Sequence, residues 1–145
     1  MNKLFWLLSF FFLTLALSAQ SPEAIAGVWM GEEKDGKFEL FEQNGKYFGK
    51  ITWLKEPNFE GAPKVDRNNP DPNKRNQPII GLVFMRNFEF NGKNGWTGGK
   101  IYDSRTGNTY NCELTLLDPQ TIKLRGFVGY SWMGMGKSVK WTRVQ

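Results

Sequence analysis

The chain has no histidine and a single cysteine among its 145 residues. Without histidine it lacks the side chain that most often serves as a general base near neutral pH and most often ligates zinc. A Ser–His–Asp or Cys–His centre cannot be built from this chain alone. With only Cys112, no intramolecular disulfide can form, although disulfides are the usual staple of small exported domains. Cys112 sits in the alternating stretch YNCELTL, where a free cysteine acts as a small buried hydrophobe, and nothing nearby would activate it. Proline is scarce outside one segment, since five of the seven prolines lie between positions 57 and 78. A concentrated charge of one sign is missing too. The net charge is +5, but Lys and Arg are interleaved with Asp and Glu, which suits a solvated exterior and not a nucleic-acid-binding face.

One long apolar run is present, at the start. Lys3 supplies a positive charge, Leu4 to Leu17 is almost wholly apolar, and the small residues Ser18, Ala19 and Ser21 follow. This pattern predicts a signal peptide over 1–19, with cleavage after Ala19 or Ser18, and an exported protein, periplasmic or extracellular. The run is short for a membrane span, which needs about 20 residues. No cysteine follows it, so a lipid anchor at this site is excluded. Residues 20–145 are expected to form one domain, held by packing, with no integral membrane span after cleavage.

Apolar and polar residues alternate with a period of two. Tyr47, Gly49, Ile51 and Trp53 share one face of a segment, as do Cys112, Leu114 and Leu116, then Ile122 and Leu124, then Val139 and Trp141. One buried and one wet face is the pattern of antiparallel sheet. Turn formers fall at hairpin spacing: Asp35-Gly36, Asn44-Gly45, Asn91 to Gly95, Thr106-Gly107-Asn108, Asp118-Pro119 and Gly129 to Gly136. Strands are therefore predicted over 27–34, 37–43, 46–55, 79–90, 96–103, 108–117, 120–128 and 137–144. Eight strands so spaced predict an all-β, antiparallel up-and-down barrel, with a sandwich as the alternative. WTGGKIYDSRTGNTY, 96–110, is its central hairpin. The segment 56–78 is too rich in proline and asparagine for an interior strand and reads as one long loop. Within it, Asp71 is placed to cap a short helical turn begun by Pro72.

Three constellations stand out. Gly27-Val28-Trp29 on the first strand, with Arg143 near the end of the last, resembles the barrel floor of the calycin superfamily, which includes the lipocalins. There a basic residue covers the tryptophan, and the resemblance implies a structural role for Trp29 and Arg143. In the 56–78 loop, Asp66, Asn69, Asp71 and Arg75 are candidates for an interaction with a partner. The spacing is wrong for a calcium loop, because Pro70 follows Asp66-x-Asn68 and no bidentate Glu stands at the required distance, so no metal site is expected. In GYSWMGMGKS, 129–138, Tyr130, Trp132, Met133 and Met135 form either a mobile apolar flap at a barrel mouth, binding a ligand together with Trp53, or a hairpin whose aromatics complete the core. The second alternative carries more weight on composition, because apolar residues near strand ends usually pack.

Taken in order, the blocks GVW, NGKYFGKITWLKEP, NNPDPNKRNQPIIGL, WTGGKIYDSRTGNTY, LRGFVG and KWTR resemble the bacterial exported family known as domain of unknown function 2147. Lys74 and Asn76-Gln77 depart from the pattern expected for its proline loop. The resemblance implies a signal peptide followed by one lipocalin-like β domain, and implies no catalytic residues and no cofactor. The leading functional expectation is a non-catalytic envelope protein that binds a small apolar ligand at the barrel mouth. The alternative is a periplasmic protein-interaction or structural module that uses the 56–78 loop. The inward set expected from alternation is bulky: Trp29, Phe38, Leu40, Tyr47, Ile51, Trp53, Phe84, Tyr110, Leu114, Leu116, Ile122, Leu124 and Trp141. It predicts an interior largely filled by side chains, with only a shallow pocket near Trp132.

Overall fold

The computed structural model describes residues 20–144. The expected signal peptide, 1–19, lies outside them. Ten strands form: β1 Gly27–Met30, β2 Gly36–Gln43, β3 Lys46–Leu54, β4 Asn58–Phe59, β5 Ala62–Pro63, β6 Val83–Phe90, β7 Gly95–Asp103, β8 Asn108–Asp118, β9 Thr121–Phe127 and β10 Gly136–Arg143. Eight of them close a barrel in the order β1-β10-β9-β8-β7-β6-β3-β2, and β4 and β5 make a separate small hairpin. The architecture is the expected closed, antiparallel eight-stranded barrel. Closure comes from the short antiparallel pairing of β1 with β10, in which Trp29 faces Arg143. Closure removes the open edges that the barrel sheet would otherwise present to a second chain.

Local chemistry explains the hairpins. Asn44 and Gly45 both take positive φ, 53° and 78°, as a type I′ turn requires. The side chain of Glu42 accepts a hydrogen bond from Gly45 N. The first strand is shorter than expected. It ends at Met30, because Gly31 N bonds to Gly36 O and closes a turn over 31–36. β6 starts at Val83 and not near 79. Ile79 to Leu82 remains part of the long loop but is tied to the barrel, with Gly81 N donating to Ile51 O and Ile51 N to Leu82 O.

The lower half of the barrel is solidly packed. Trp29, Trp96, Phe88, Met85, Leu40, Leu114 and Ile122 are almost completely buried there. At the floor, the guanidinium carbon of Arg143 lies 4.3 Å from the centre of the Trp29 ring. Arg143 donates to the carbonyls of Ala24 (2.6 Å), Ala26 (2.9 Å) and Pro119 (2.9 Å). Trp29 Nε1 donates to Ile25 O at 2.9 Å. A cation stacked on an indole while its N–H groups bind carbonyls uses both the face and the edge of the guanidinium.

One register shift reverses an expectation. Lys37 pairs with Trp53 and Phe38 with Ile51, so Thr52 is an extra residue on β3. The bulge flips the alternation beyond it. Leu54 turns into the barrel, and Trp53, expected inside, stands on the outer wall, 39% exposed, with Lys37 Nζ 5.2 Å from its ring centre.

Candidate functional site

Above the packed floor the barrel is hollow. A cavity of about 1160 Å³ opens at the end where β1–β2, β7–β8, β9–β10 and the long loop meet. It exceeds the usual 300–1000 Å³ range of ligand pockets. Its inner wall is apolar: Phe38, Ile51, Leu54, Phe84, Ile101, Tyr110, Leu124, Val139 and Trp141. At its base Phe38 stacks on Trp141 with ring centres 4.3 Å apart, and Phe84 lies 5.3 Å from Phe38. These three rings form an aromatic platform.

The expectation of a largely filled interior is thus corrected. Two causes are visible in the chain. The inward positions nearest the mouth are small, with Gly31, Gly36, Cys112, Gly126 and Gly136 all lining the cavity. The bulge at Thr52 also removes Trp53 from the lumen. At Gly126 a Cβ would meet nothing nearer than Asn111 O at 3.9 Å. The bulky residues of the alternating set that do fill space, such as Trp29, Tyr47 and Leu114, lie below this level and do not line the cavity.

Charged residues ring the opening: Glu32, Glu33, Asp35, Glu56 and Asp103 against Lys55, Lys64, Arg105 and Lys137. Among the described residues no buried side-chain N or O atom is left without a hydrogen-bond partner. The wall offers an occupant mostly apolar contact area, and the rim offers charge. Cys112 lines the wall, but burial, reinforced by the neighbouring Glu113 carboxylate, pushes its thiol up to about 12. Both its burial and this shift disfavour the thiolate, the nucleophilic form, at neutral pH. Among the described residues no group of three or more His, Cys, Asp or Glu could hold a metal ion. No helix there is long and apolar enough to cross a membrane.

The long loop forms one side of the mouth through Lys64 and Ile79. Its candidate residues do come together. Asp66 is fully buried. Its carboxylate accepts from Tyr102 Oη and from Asn69 Nδ2, each at 2.7 Å. Asn69 Oδ1 accepts from Asp71 N, and Asn69 O accepts from Arg75 Nε. Asp71 caps the 3₁₀ turn Pro72–Lys74, accepting from Asn73 N at 3.0 Å. Asn68 Nδ2 reaches across to Arg105 O on the β7–β8 hairpin. All four candidates act within one internal brace that fastens the loop to β7. Burial, then the hydrogen bond to Asp66, pushes the Tyr102 phenol up to about 12.

The residues from the 129–138 segment are placed differently. Tyr130 and Trp132 stack on each other, 6.0 Å between centres, and project outward, with Trp132 81% exposed. Met133 is exposed as well, and the favoured expectation that these aromatics complete the core is overturned. Of Tyr130, Trp132, Met133, Met135 and Trp53, only Met135 lines the cavity. The platform residues Phe38, Phe84 and Trp141 carried a sequence signal, since alternation pointed them inward. It gave no sign that they face empty space. Ile101 and Tyr102 were not legible, because the pairing of β7 with β8 shifts between Trp96 and Gly99 and resets the alternation.

The arrangement is a lipocalin-like barrel suited to holding a small molecule. Among solved structures, one described as "Protein HP1028 from the human pathogen Helicobacter pylori belongs to the lipocalin family" matches with 27% identity, 83% of each chain covered and a TM-score of 0.74. A redesigned β-barrel matches with 13% identity, a TM-score of 0.49, and 88% of this chain and 97% of its own covered. Among curated proteins, none matches. Residues 27–143, from the glycine of the floor motif to its arginine, match the family described as "Uncharacterized protein conserved in bacteria (DUF2147)", and the chain belongs to that family.

Proposed function

We propose that this is an exported, non-catalytic protein of the bacterial envelope that holds a small apolar ligand in the upper half of its barrel. The observation that carries the reading is the apolar cavity with its Phe38–Trp141–Phe84 platform. Burying apolar surface is worth about 25 cal/mol per Å², so an occupant needs no polar anchor inside. The lipocalin description of the Helicobacter pylori relative supports a ligand-holding barrel. Export rests on Lys3, the apolar run and Ala19. The alternative, a protein-interaction module built on the 56–78 loop, has less support, because Asp66, Asn69, Asp71 and Arg75 spend their hydrogen bonds on the loop itself.

The test is titration of the chain from Gln20 onward with an environment-sensitive fluorescent fatty acid. This chain contains all the strands and core residues described above. Micromolar binding, displaced by the unlabelled acid, is expected. Gly126→Phe places a ring where space is free and should weaken binding by about tenfold or more, since tenfold needs only about 1.4 kcal/mol. Equal binding by wild type and Gly126→Phe would put the ligand elsewhere. No binding of any apolar probe would overturn the reading.

A further inference from the structure

The β9–β10 loop is the most apolar exposed feature of the described residues. Val128, Tyr130, Trp132, Met133 and Met135, within one eight-residue stretch, are all large and exposed. From Gly126 to Gly136 the chain carries no acidic or basic side chain, and Arg125 and Lys137 flank the run on its two stems. An apolar exposed patch of this kind marks a contact with another protein or with a membrane.

The exposure is built in. Ser131 Oγ donates to the Glu113 carboxylate at 3.0 Å, and Arg125 Nη1 donates to Ser131 Oγ at 3.0 Å. Asn111 Nδ2 donates to Gly129 O at 2.8 Å. Met133 N closes the 3₁₀ turn on Tyr130 O. These bonds fix the base of the loop on the outer wall, so the stacked Tyr130 and Trp132 point away from the barrel.

We propose that this loop is a membrane-docking tip, which seats the cavity mouth on an anionic lipid bilayer. Three observations favour a bilayer over a protein partner. Trp and Tyr are the side chains that settle at the headgroup level, where one end of the ring is apolar and the other wet. The uncharged run ending at Lys137 matches a hydrocarbon boundary under a layer of phosphates. The loop is also continuous with the cavity, since Val128, Met135 and Lys137 line its mouth. A docked tip therefore opens the apolar lumen onto the lipid. Charge sets the tilt. Glu32, Glu33 and Asp35 on the β1–β2 turn are held off an anionic surface, and Lys137 on the loop's second stem is drawn toward it; Arg125 is already paired with Glu113 at 3.4 Å. Docking requires no ligand in the cavity, so it stands or falls apart from the binding proposed above.

The experiment is co-sedimentation of the chain from Gln20 onward with vesicles, either of phosphatidylcholine alone or with a quarter phosphatidylglycerol. Omitting residues 1–19 removes the only other long apolar run. Wild type is expected on the mixed vesicles, less at high salt, and its tryptophan emission should be quenched by lipids brominated in the upper acyl chain. Tyr130→Ser/Trp132→Ser should reduce binding by about tenfold or more and remove most of that quenching. Both side chains are exposed, so its thermal midpoint and its affinity for the fatty-acid probe should match wild type. Wild type left in the supernatant with both vesicle types overturns the proposal, and so does equal vesicle binding by the double variant. A dimer that the double variant dissociates, with no vesicle binding, would give the tip to a second copy of the chain and overturn it too.

Discussion

Arg143 holds the floor through both of its faces. The plane of the guanidinium covers Trp29, and its edges bind three carbonyls from two separate segments. A glycine is needed beneath it. Gly27 has φ +128°, and a Cβ there would come within 2.9 Å of Arg143 Nη1. The first residue of the Gly-x-Trp motif thus makes room for the arginine that covers the third. Gly27→Ala should destabilise the protein by about 1–3 kcal/mol, the usual size of a strained backbone position. Urea denaturation would measure it as a lower midpoint with an unchanged slope. If the midpoint does not move, the floor can relax around a methyl group and the close approach is not what selects glycine. Arg143→Lys should also destabilise, because a lysine ammonium cannot stack on the indole and fork to three carbonyls together.

At the scale of elements, the long loop behaves as part of the barrel. Its Asp66 carboxylate is buried and held by Tyr102 from β7 and by Asn69 from the loop itself. Tyr102→Phe leaves that carboxylate one donor short and should cost about 1–3 kcal/mol. The pH dependence has a definite sign. The Tyr102 phenol is raised to about 12 in the folded state by burial and by Asp66, above an unfolded value of about 10. Its contribution is fully present below the unfolded value and is lost as the pH rises from there through about 12. Wild type should lose stability more steeply over that window than Tyr102→Phe, measured as denaturation midpoints at a series of alkaline pH values. Parallel curves would show that the phenol does not couple to folding. The same loop shows how far the sequence could be read. Proline density excluded an interior strand, and only the small hairpin β4–β5 forms there, apart from the barrel; Asp71-Pro72 announced its short turn. The partner of Asp66 was not legible, because Tyr102 is 36 residues away and its facing depends on a register shift in β7. Alternation is a local signal, and it fails where a bulge adds one residue, as at Thr52, where Trp53 and Leu54 exchange sides.

At the scale of the whole molecule, one end of the barrel is dense and the other hollow. This division sets where stability can be gained. The floor already has the packing of a protein interior, whereas the upper wall lacks contact partners on its inner side and forfeits that dispersion energy. Filling the space should therefore stabilise the protein whether the added atoms come from a ligand or from a side chain. A ligand at a hundred times its dissociation constant adds about 2.7 kcal/mol. For a domain between the small and medium size classes, that corresponds to a rise in Tm of roughly 10 °C. Gly126→Phe should raise the Tm of the ligand-free protein and also shrink the further rise on adding fatty acid, because both fillers compete for the same volume. Scanning calorimetry on the two proteins, each with and without fatty acid, measures all four values. If the two increments add in full, ligand and ring occupy different places and the upper barrel is not the binding site. If they compete, the hollow half of this barrel is where its ligand sits.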